Sequence, residues 1–334
     1  MSIVVDSKQL KFVLSRVNSL LRASMLNNSI QFNIKEKYLY VRVEVNMIYE
    51  ERIPIISSTE NYIKKQSASF KPIYELFDTT VPTTITLTSN SICFENLGLS
   101  TVLTGAEYTT FLGTTPREAE RQPIATTQLV SAIKTLSHLS SLETKLKRVY
   151  PIDFSGDVAL MYLPSLWVKV NSSALNLQLP IAFSKVIASF LPTEMSVTSD
   201  MVQLFNSNGY MLFPAKTTVE DTSDFDAIIH SAERLTEVNL YPILSRLSAI
   251  AKNDKTSLCQ ISITDNGFVC DLNGDNQSLS IYIGNIDKTL FTGVIPIVQL
   301  IACLSILGDT KTIISKKGEY LCFQTPNVQM ISSS

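Results

Sequence analysis

One amphipathic stretch recurs three times along the chain, and this recurrence limits the fold more than any single motif does. Gln9 to Leu20 reads QLKFVLSRVNSL, Gln128 to Leu139 reads QLVSAIKTLSHL, and Asn239 to Ile250 reads NLYPILSRLSAI. Aligned without gaps, Leu10, Leu129 and Leu240 coincide, as do Val13, Ala132 and Ile243, and Leu14, Ile133 and Leu244. Val17, Leu136 and Leu247 follow, then Leu20, Leu139 and Ile250. Apolar residues at i, i+3, i+4, i+7 and i+10 form one stripe of an amphipathic helix. Copies spaced a domain apart predict three similar domains in tandem rather than a solenoid of short repeats.

The opposite face of the helix is basic. Lys8, Lys11, Ser15, Ser19 and Arg22 fall within about 80° of arc at helical pitch, with Arg16 on the shoulder and no acid between Lys8 and Arg22. The second copy repeats the arrangement with Lys134, Ser137, Ser141, Lys145 and Arg148, whereas the third has only Arg246 and Lys252. A solvated helix face accounts for any one of these. Acid-poor basic faces at corresponding positions are harder to dismiss in that way.

Each stretch is followed by the same order of elements. Alternating runs Ser29–Ile34 and Tyr38–Val45 flank a turn at Lys35-Glu36-Lys37, and Leu258–Thr264 and Phe268–Leu272 flank Asp265-Asn266-Gly267, a hairpin signal. In the second repeat the strands are Ile152–Phe154, Val158–Leu163 and Leu166–Val170, with Gly156-Asp157 as a turn. A strand then leads to a second helix: Glu51–Ile56 before Phe70–Phe77, Leu175–Leu179 before Phe183–Phe190, and Ser280–Ile283 before Ile297–Leu307. Pro72, Pro180 and Pro296 suit first helical turns. A second hairpin and a last strand (Ser100–Thr104, Tyr210–Pro214, Val328–Ile331) close each repeat. The expected fold class is α+β, with three tandem domains at 1–110, 123–216 and 228–334, each with two helices packed on antiparallel sheets. Polar connectors, Glu107–Gln122 and Lys216–Asp226, set the boundaries; the second reads as a solvated acidic linker.

Composition excludes several classes. At 334 residues with 45% hydrophobic content the chain is long enough for two or three cores. With 28 basic against 30 acidic residues, any nucleic-acid surface must be local. No apolar run approaches the roughly 20 residues that span a bilayer, and MSIVVDSKQL lacks a signal-peptide pattern. The expectation is a cytoplasmic protein with no membrane partner. Five cysteines, Cys93, Cys259, Cys270, Cys303 and Cys322, stand singly and read as core residues of a reducing compartment.

Site chemistry is sparse. The two histidines, His138 and His230, sit in no metal or nucleophile motif, and no Walker A, GxGxxG, GxSxG or HExxH pattern occurs. Asp271, Asn273, Asp275 and Asn276 resemble part of a calcium loop, but Tyr282 stands where the loop's glutamate belongs, which favours a turn between strands. Trp167, the single tryptophan, reads as a core or interface residue. The reading is a non-enzyme without cofactor or metal.

Three tandem domains with two helices and two strand groups each, from Val4 to Ile331, resemble the bacterial-type DNA polymerase sliding clamp, the beta subunit or processivity factor. The resemblance rests on repeat architecture. It implies that two chains close head to tail into a six-domain homodimeric ring around duplex DNA, loaded by a clamp loader and tethering DNA polymerase and other clamp-binding proteins. Lys8, Lys11, Arg16, Arg22, Lys134, Lys145, Lys147, Arg148, Arg246 and Lys252 would then face DNA phosphates through weak, sequence-independent contacts. The family's client-peptide pocket maps to Ile228, Ile229, Leu175, Val328 and Met330. Two departures stand out: Asn171-Ser172-Ser173-Ala174-Leu175 replaces the family's T-D-G-H-R-L run, and Ser332–Ser334 replace its proline and basic end. Both fit a divergent clamp such as a phage would carry in an infected bacterium. The alternative is a clamp-like adaptor or inhibitor that binds proteins without encircling DNA, favoured by the uncharged stretch Ile297–Leu307.

Overall fold

A computed structural model describes residues 1–24, 29–59, 64–107, 115–139, 142, 150–215, 223–251, 258–265, 267–273, 278–284 and 288–333. The first repeat runs β1 (Ser2–Val5), α1 (Ser7–Ser24), β2 (Ser29–Lys35), β3 (Tyr38–Glu44), β4 (Ile48–Ser58), β5 (Lys64–Ser69), a 3-10 turn (Ile73–Leu76), β6 (Thr83–Leu87), β7 (Ser91–Asn96) and β8 (Leu99–Glu107). The second runs β9 (Gln122–Pro123), α2 (Thr126–Ser137), β10 (Pro151–Leu163), β11 (Leu166–Pro180), α3 (Ser184–Phe190), β12 (Glu194–Val197), β13 (Met201–Asn206) and β14 (Gly209–Pro214). The third runs α4 (Ser223–Ser231), β15 (Glu233–Asn239), α5 (Tyr241–Ala251), β16 (Leu258–Thr264), β17 (Gly267–Asn273), β18 (Ser278–Gly284), β19 (Thr289–Pro296), α6 (Ile297–Leu307), β20 (Lys311–Lys317), β21 (Tyr320–Gln324) and β22 (Val328–Ser333). The fold is α+β, with antiparallel sheets.

Two compact units form: Met1–Thr126 with Ala182–Lys216, and Thr127–Ile181 with Thr217–Ser334. Neither follows the repeat boundaries, because the sheets join halves of consecutive repeats. In the first unit the order β1-β6-β7-β8-β5-β2-β3-β4 closes on itself through β1–β4 pairing, and β4 also carries β14-β13-β12-β9. The second unit holds the sheet β10-β11-β22-β21-β20-β15 and the separate sheet β18-β17-β16-β19.

Helix α1 forms where its stripe demands. Leu10, Val13, Leu14, Val17, Leu20 and Leu21 are all buried, and Asp6 caps the start by accepting the Gln9 amide at 2.7 Å. Helix α6 carries no charge and is apolar on nearly every side, so it is buried on nearly every side.

Several local expectations change. The first repeat's second helix is only the 3-10 turn; the Asp78 carboxylate accepts the Thr80 amide at 2.8 Å and turns the chain before an α-helix can propagate. Gly156-Asp157 is no turn but an irregularity inside the continuous strand β10, with Gly156 at φ 59°; the hairpin reverses at Pro164-Ser165. The last four residues of the acidic linker, 223–226, open helix α4, and residues 216–222 lie outside the described set. Phe225 and Ile229 of α4 are buried with Cys322 and Ile331, and Trp167 packs against them. The linker is therefore anchored by two apolar side chains four residues apart, a signal that its acids obscured.

Candidate functional site

The basic helix faces survive in part. Lys8 and Arg22 on α1, Lys134 on α2 and Arg246 on α5 are exposed. Lys11 is half-buried, and its ammonium donates to the Phe77 carbonyl at 3.3 Å. Lys145, Lys147, Arg148 and Lys252 lie outside the described residues. Lys185 on α3 is exposed as well. The sequence reading missed it, although the same helical wheel drawn on the second helix separates it from buried Val186, Ile187 and Phe190.

Arg16 is a correction. Its side chain and that of Glu51 are each only 6% exposed, and they pair at 2.6 Å. The guanidinium also donates to Ser189, through Nε to Oγ at 3.2 Å and through Nη2 to the carbonyl. The Tyr49 hydroxyl donates to Glu51, and burial, reinforced by the Glu51 charge, holds the Tyr49 hydroxyl well above its ordinary pKa. Arg16 therefore ties α1, β4 and α3 together and has no guanidinium face left for a phosphate. Its place on the shoulder of the wheel, beside the apolar stripe, is the physical reason.

The strands reveal a regular joint. β14 pairs with β4 as Gly209↔Glu51, Tyr210↔Glu50, Met211↔Tyr49 and Leu212↔Ile48. β22 pairs with β11 as Val328↔Val170, Gln329↔Lys169, Met330↔Val168 and Ile331↔Trp167. Counted from their hairpin turns, these two registers are the same. The next hydrogen bond also recurs: the Arg52 amide donates to the Asn208 carbonyl at 2.8 Å, and the Asn171 amide to the Asn327 carbonyl at 3.1 Å. We call these joints the first and second seams. The corresponding strands for a third are β8, paired over residues 99–104 only with β7, and β18, an outer strand of its sheet, among the described residues. Exposed apolar side chains lie along both: Leu97 (70%), Val102 (55%) and Tyr282 (61%).

A 330 Å³ cavity opens at the second seam, lined by Ser131 and Thr135 of α2, Asn171 and Ser172 of β11, and Asn327 and Val328. Of the five residues expected in a peptide pocket, Val328 lines this cavity. Leu175 is buried in β11, and Ile229 is buried with Ile331 while Ile228 packs beside them. Met330 is buried too and, adjacent to Ile331 in an extended strand, faces the opposite side of the sheet from Ile229. The structure thus does not bring all five into one cavity. The four buried cysteines are free; burial pushes the Cys303 thiol up to about 12 and Cys322 up to about 11, so neither is a thiolate at neutral pH. Among the described residues no three His, Cys, Asp or Glu side chains converge as a metal site, and no helix is long and apolar enough to cross a membrane.

No family model and no curated protein matches the sequence. Solved structures do match. The chain superposes on a DNA polymerase III beta subunit from Thermotoga maritima with TM-score 0.75 at 11% identity, covering 99% of this chain and 98% of that one. The fold is that of the bacterial beta clamp. The beta subunit of Borrelia burgdorferi, in complex with a natural product, gives TM-score 0.74 at 12% identity over 100% of this chain and 98% of that one. A Helicobacter pylori beta clamp bound to a DNA ligase peptide gives 0.73 at 11% over 100% and 99%. The clamp fold spans the whole chain, and its sequence here is divergent.

Proposed function

We propose that this chain is a DNA sliding clamp, a processivity factor of which two copies close head to tail around duplex DNA and tether replication proteins, acting as a scaffold rather than an enzyme. The observation that carries this reading is the pair of unmatched seam strands. Two seams are made within the chain in one register, and the ends left over, β8 and β18, are complementary members of the same series. Continuing the register pairs Leu99 with Ile281 and Ser100 with Ser280 of a second copy, and directs the Tyr282 amide to the Gly98 carbonyl. Such a heterologous joint covers Leu97, Val102 and Tyr282 and closes when the rotations sum to a full turn.

Lys8, Lys11, Arg22, Lys134, Lys185 and Arg246 supply the phosphate contacts, joined by Lys145, Lys147, Arg148 and Lys252. Lysine and arginine contacts to phosphates carry no sequence information, which suits a surface that holds DNA yet slides. A loader opens the ring, and polymerase or repair partners dock through short peptides at the second seam, around Asn171, Ser172 and Val328, with Leu175 and Met330 in the sheet and Ile228 and Ile229 on the helix packed against it as the supporting apolar residues. The Helicobacter pylori beta clamp, bound to a DNA ligase peptide, supports that mode of docking.

The test is solution mass by light scattering over a dilution series, followed by retention on circular against linearised DNA. A mass near twice 37.1 kDa with retention only on circles is expected. A monomer at every concentration that never stays on circular DNA, even with a loader, overturns the ring and leaves a clamp-like adaptor.

A further inference from the structure

The first seam carries a cavity in the same place as the one at the second. It measures 360 Å³ and is lined by Gln9, Phe12, Val13, Arg52, Ile53 and Asn208, among others. In the repeat alignment these positions match Gln128, Ser131, Ala132, Asn171, Ser172 and Asn327 of the second-seam cavity. The chemistry differs. Ser131 at the second seam is Phe12 at the first, Ser172 is Ile53, and Asn171 is Arg52. Phe190 and Leu191 add further apolar wall to the first-seam cavity.

Two of these apolar groups face water: Phe12 and Leu191 are each 52% exposed. Leu191 holds a left-handed conformation, φ 54°, at the end of α3, where glycine is the ordinary residue. Arg52 is exposed, rests 4.7 Å from the Tyr38 ring, and has no carboxylate partner among the described residues. The cavity continues into a second one of 560 Å³ that shares Arg52, Thr193 and Asn206 and ends at Arg121, whose guanidinium lies 3.9 Å from the Phe205 ring and pairs with Glu194 at 3.3 Å. The first cavity is apolar around Phe12, Ile53 and Leu191, and Arg52 stands where the two cavities share their lining; the second also carries the carboxylates of Glu50 and Glu194.

We infer that the first seam is a second peptide-docking site, and that it takes a short extended segment of a partner protein bearing a large apolar side chain next to a carboxylate. The apolar anchor enters between Phe12, Ile53 and Leu191, and the carboxylate pairs with Arg52. This rests on the peptide-docking part of the reading above but not on ring closure. At equal positions the second seam offers hydroxyls and amides, so the two sites select different segments.

The probes are two labelled hexapeptides, Ser-Gly-Asp-Leu-Phe-Gly and its Lys-for-Asp counterpart, titrated by fluorescence anisotropy against the full-length protein. Phe12→Ala and Arg52→Glu, both at exposed positions, should each weaken the Asp peptide at least about tenfold, and Arg52→Glu should gain binding of the Lys peptide, which mere loosening of the fold would not produce. Ser131→Trp, which fills the mouth of the second-seam cavity, should change the affinity less than about twofold. Asp-peptide binding that survives Phe12→Ala and Arg52→Glu overturns the inference. Loss on Ser131→Trp alone also overturns it, while leaving peptide docking at the second seam intact. No binding of either peptide overturns it as well; solution mass and DNA retention then decide the ring separately.

Discussion

Removing Arg16 should damage the fold rather than DNA binding. In Arg16→Ala the Glu51 carboxylate stays buried, and the guanidinium that balanced its charge is gone, leaving the Tyr49 hydroxyl as its side-chain donor. Breaking one side of a buried pair costs about 3–5 kcal/mol. Loss of the stack over Phe12, 4.0 Å from the guanidinium, adds about 0.5–1 kcal/mol. The chain itself supplies the compensating variant: Thr135 and Val170 occupy the matching positions at the second seam. Arg16→Thr with Glu51→Val removes both charges and should recover all but about 1–2 kcal/mol, since apolar replacement of a buried pair is often neutral. Urea unfolding followed by far-UV circular dichroism gives each free energy, and the double-mutant cycle isolates the coupling. A loss below about 1 kcal/mol in Arg16→Ala, with DNA affinity falling instead, would refute the structural assignment and return Arg16 to the phosphate-facing set.

Four further outcomes are expected. Val102→Asp places a carboxylate where Leu212 and Ile331 are buried in the two made seams; it should leave the monomer folded and weaken dimerisation at least about 100-fold, read by sedimentation. Gly209→Ala drives a methyl to 2.0 Å from the Glu50 carbonyl oxygen, which is backbone and cannot swing away; the first unit should lose about 3 kcal/mol or more in urea unfolding. Burial holds Glu50 above its ordinary pKa against the pull of Arg42, so its stabilising contribution is present below the unfolded pKa and lost as pH rises through the folded one. Glu50→Gln should therefore gain stability relative to the parent as pH rises above the ordinary carboxylate range, about 4; a gap that narrows with rising pH would contradict this. Lys8→Ala, Lys134→Ala and Lys185→Ala should each lower the slope of log affinity against log salt by about 0.9 for every phosphate no longer neutralised, with no preference among sequences.

The first helix of each repeat, the hairpins other than the one expected at Gly156-Asp157, and the last strands were legible because each carries its own period. The leucine stripe of α1, the alternation of Ile30, Phe32 and Ile34, and the two-residue turns need no tertiary information. What was illegible depends on partners. β5 and β19 complete their sheets by pairing with β2 and β16, and the chain alone offers only polar or mixed residues there. Arg16 reads as a surface cation until Glu51, distant in sequence, is brought beneath it. Of the candidate sites, the basic faces followed from one wheel. The peptide pocket was carried over from a resemblance, and buried Met330 and Ile229 on opposite sheet faces show why alignment alone could not place it.

The divergence of the seams has a use that their common backbone register does not supply. Three last strands and three acceptor strands of one design could pair in wrong combinations, and the side chains at matched positions discriminate. The first seam demands a residue without Cβ at Gly209 and sets Tyr210 against Glu50 beside fully buried Arg42. Val328, the counterpart of Gly209, would clash with the Glu50 backbone there. The second seam is apolar at its centre, Val168 and Val170 against Met330 and Val328, and is covered by α4, whose Asp226 reaches Lys169 at 2.7 Å. Placing Glu50 at the position of Lys169 would set two carboxylates together. The strands left for a third joint fit the first seam poorly, since Leu99 stands where Gly209 must be and Ser280 where Glu50 is; at the second seam Ser280 lacks the charge by which Lys169 meets Asp226. Like-charge and steric penalties of this kind are how an interface rejects near-copies of its own partner. They favour β14 on β4 and β22 on β11 within one chain; in the head-to-tail ring proposed above, β8 and β18 would then be the strands left to pair with those of another molecule.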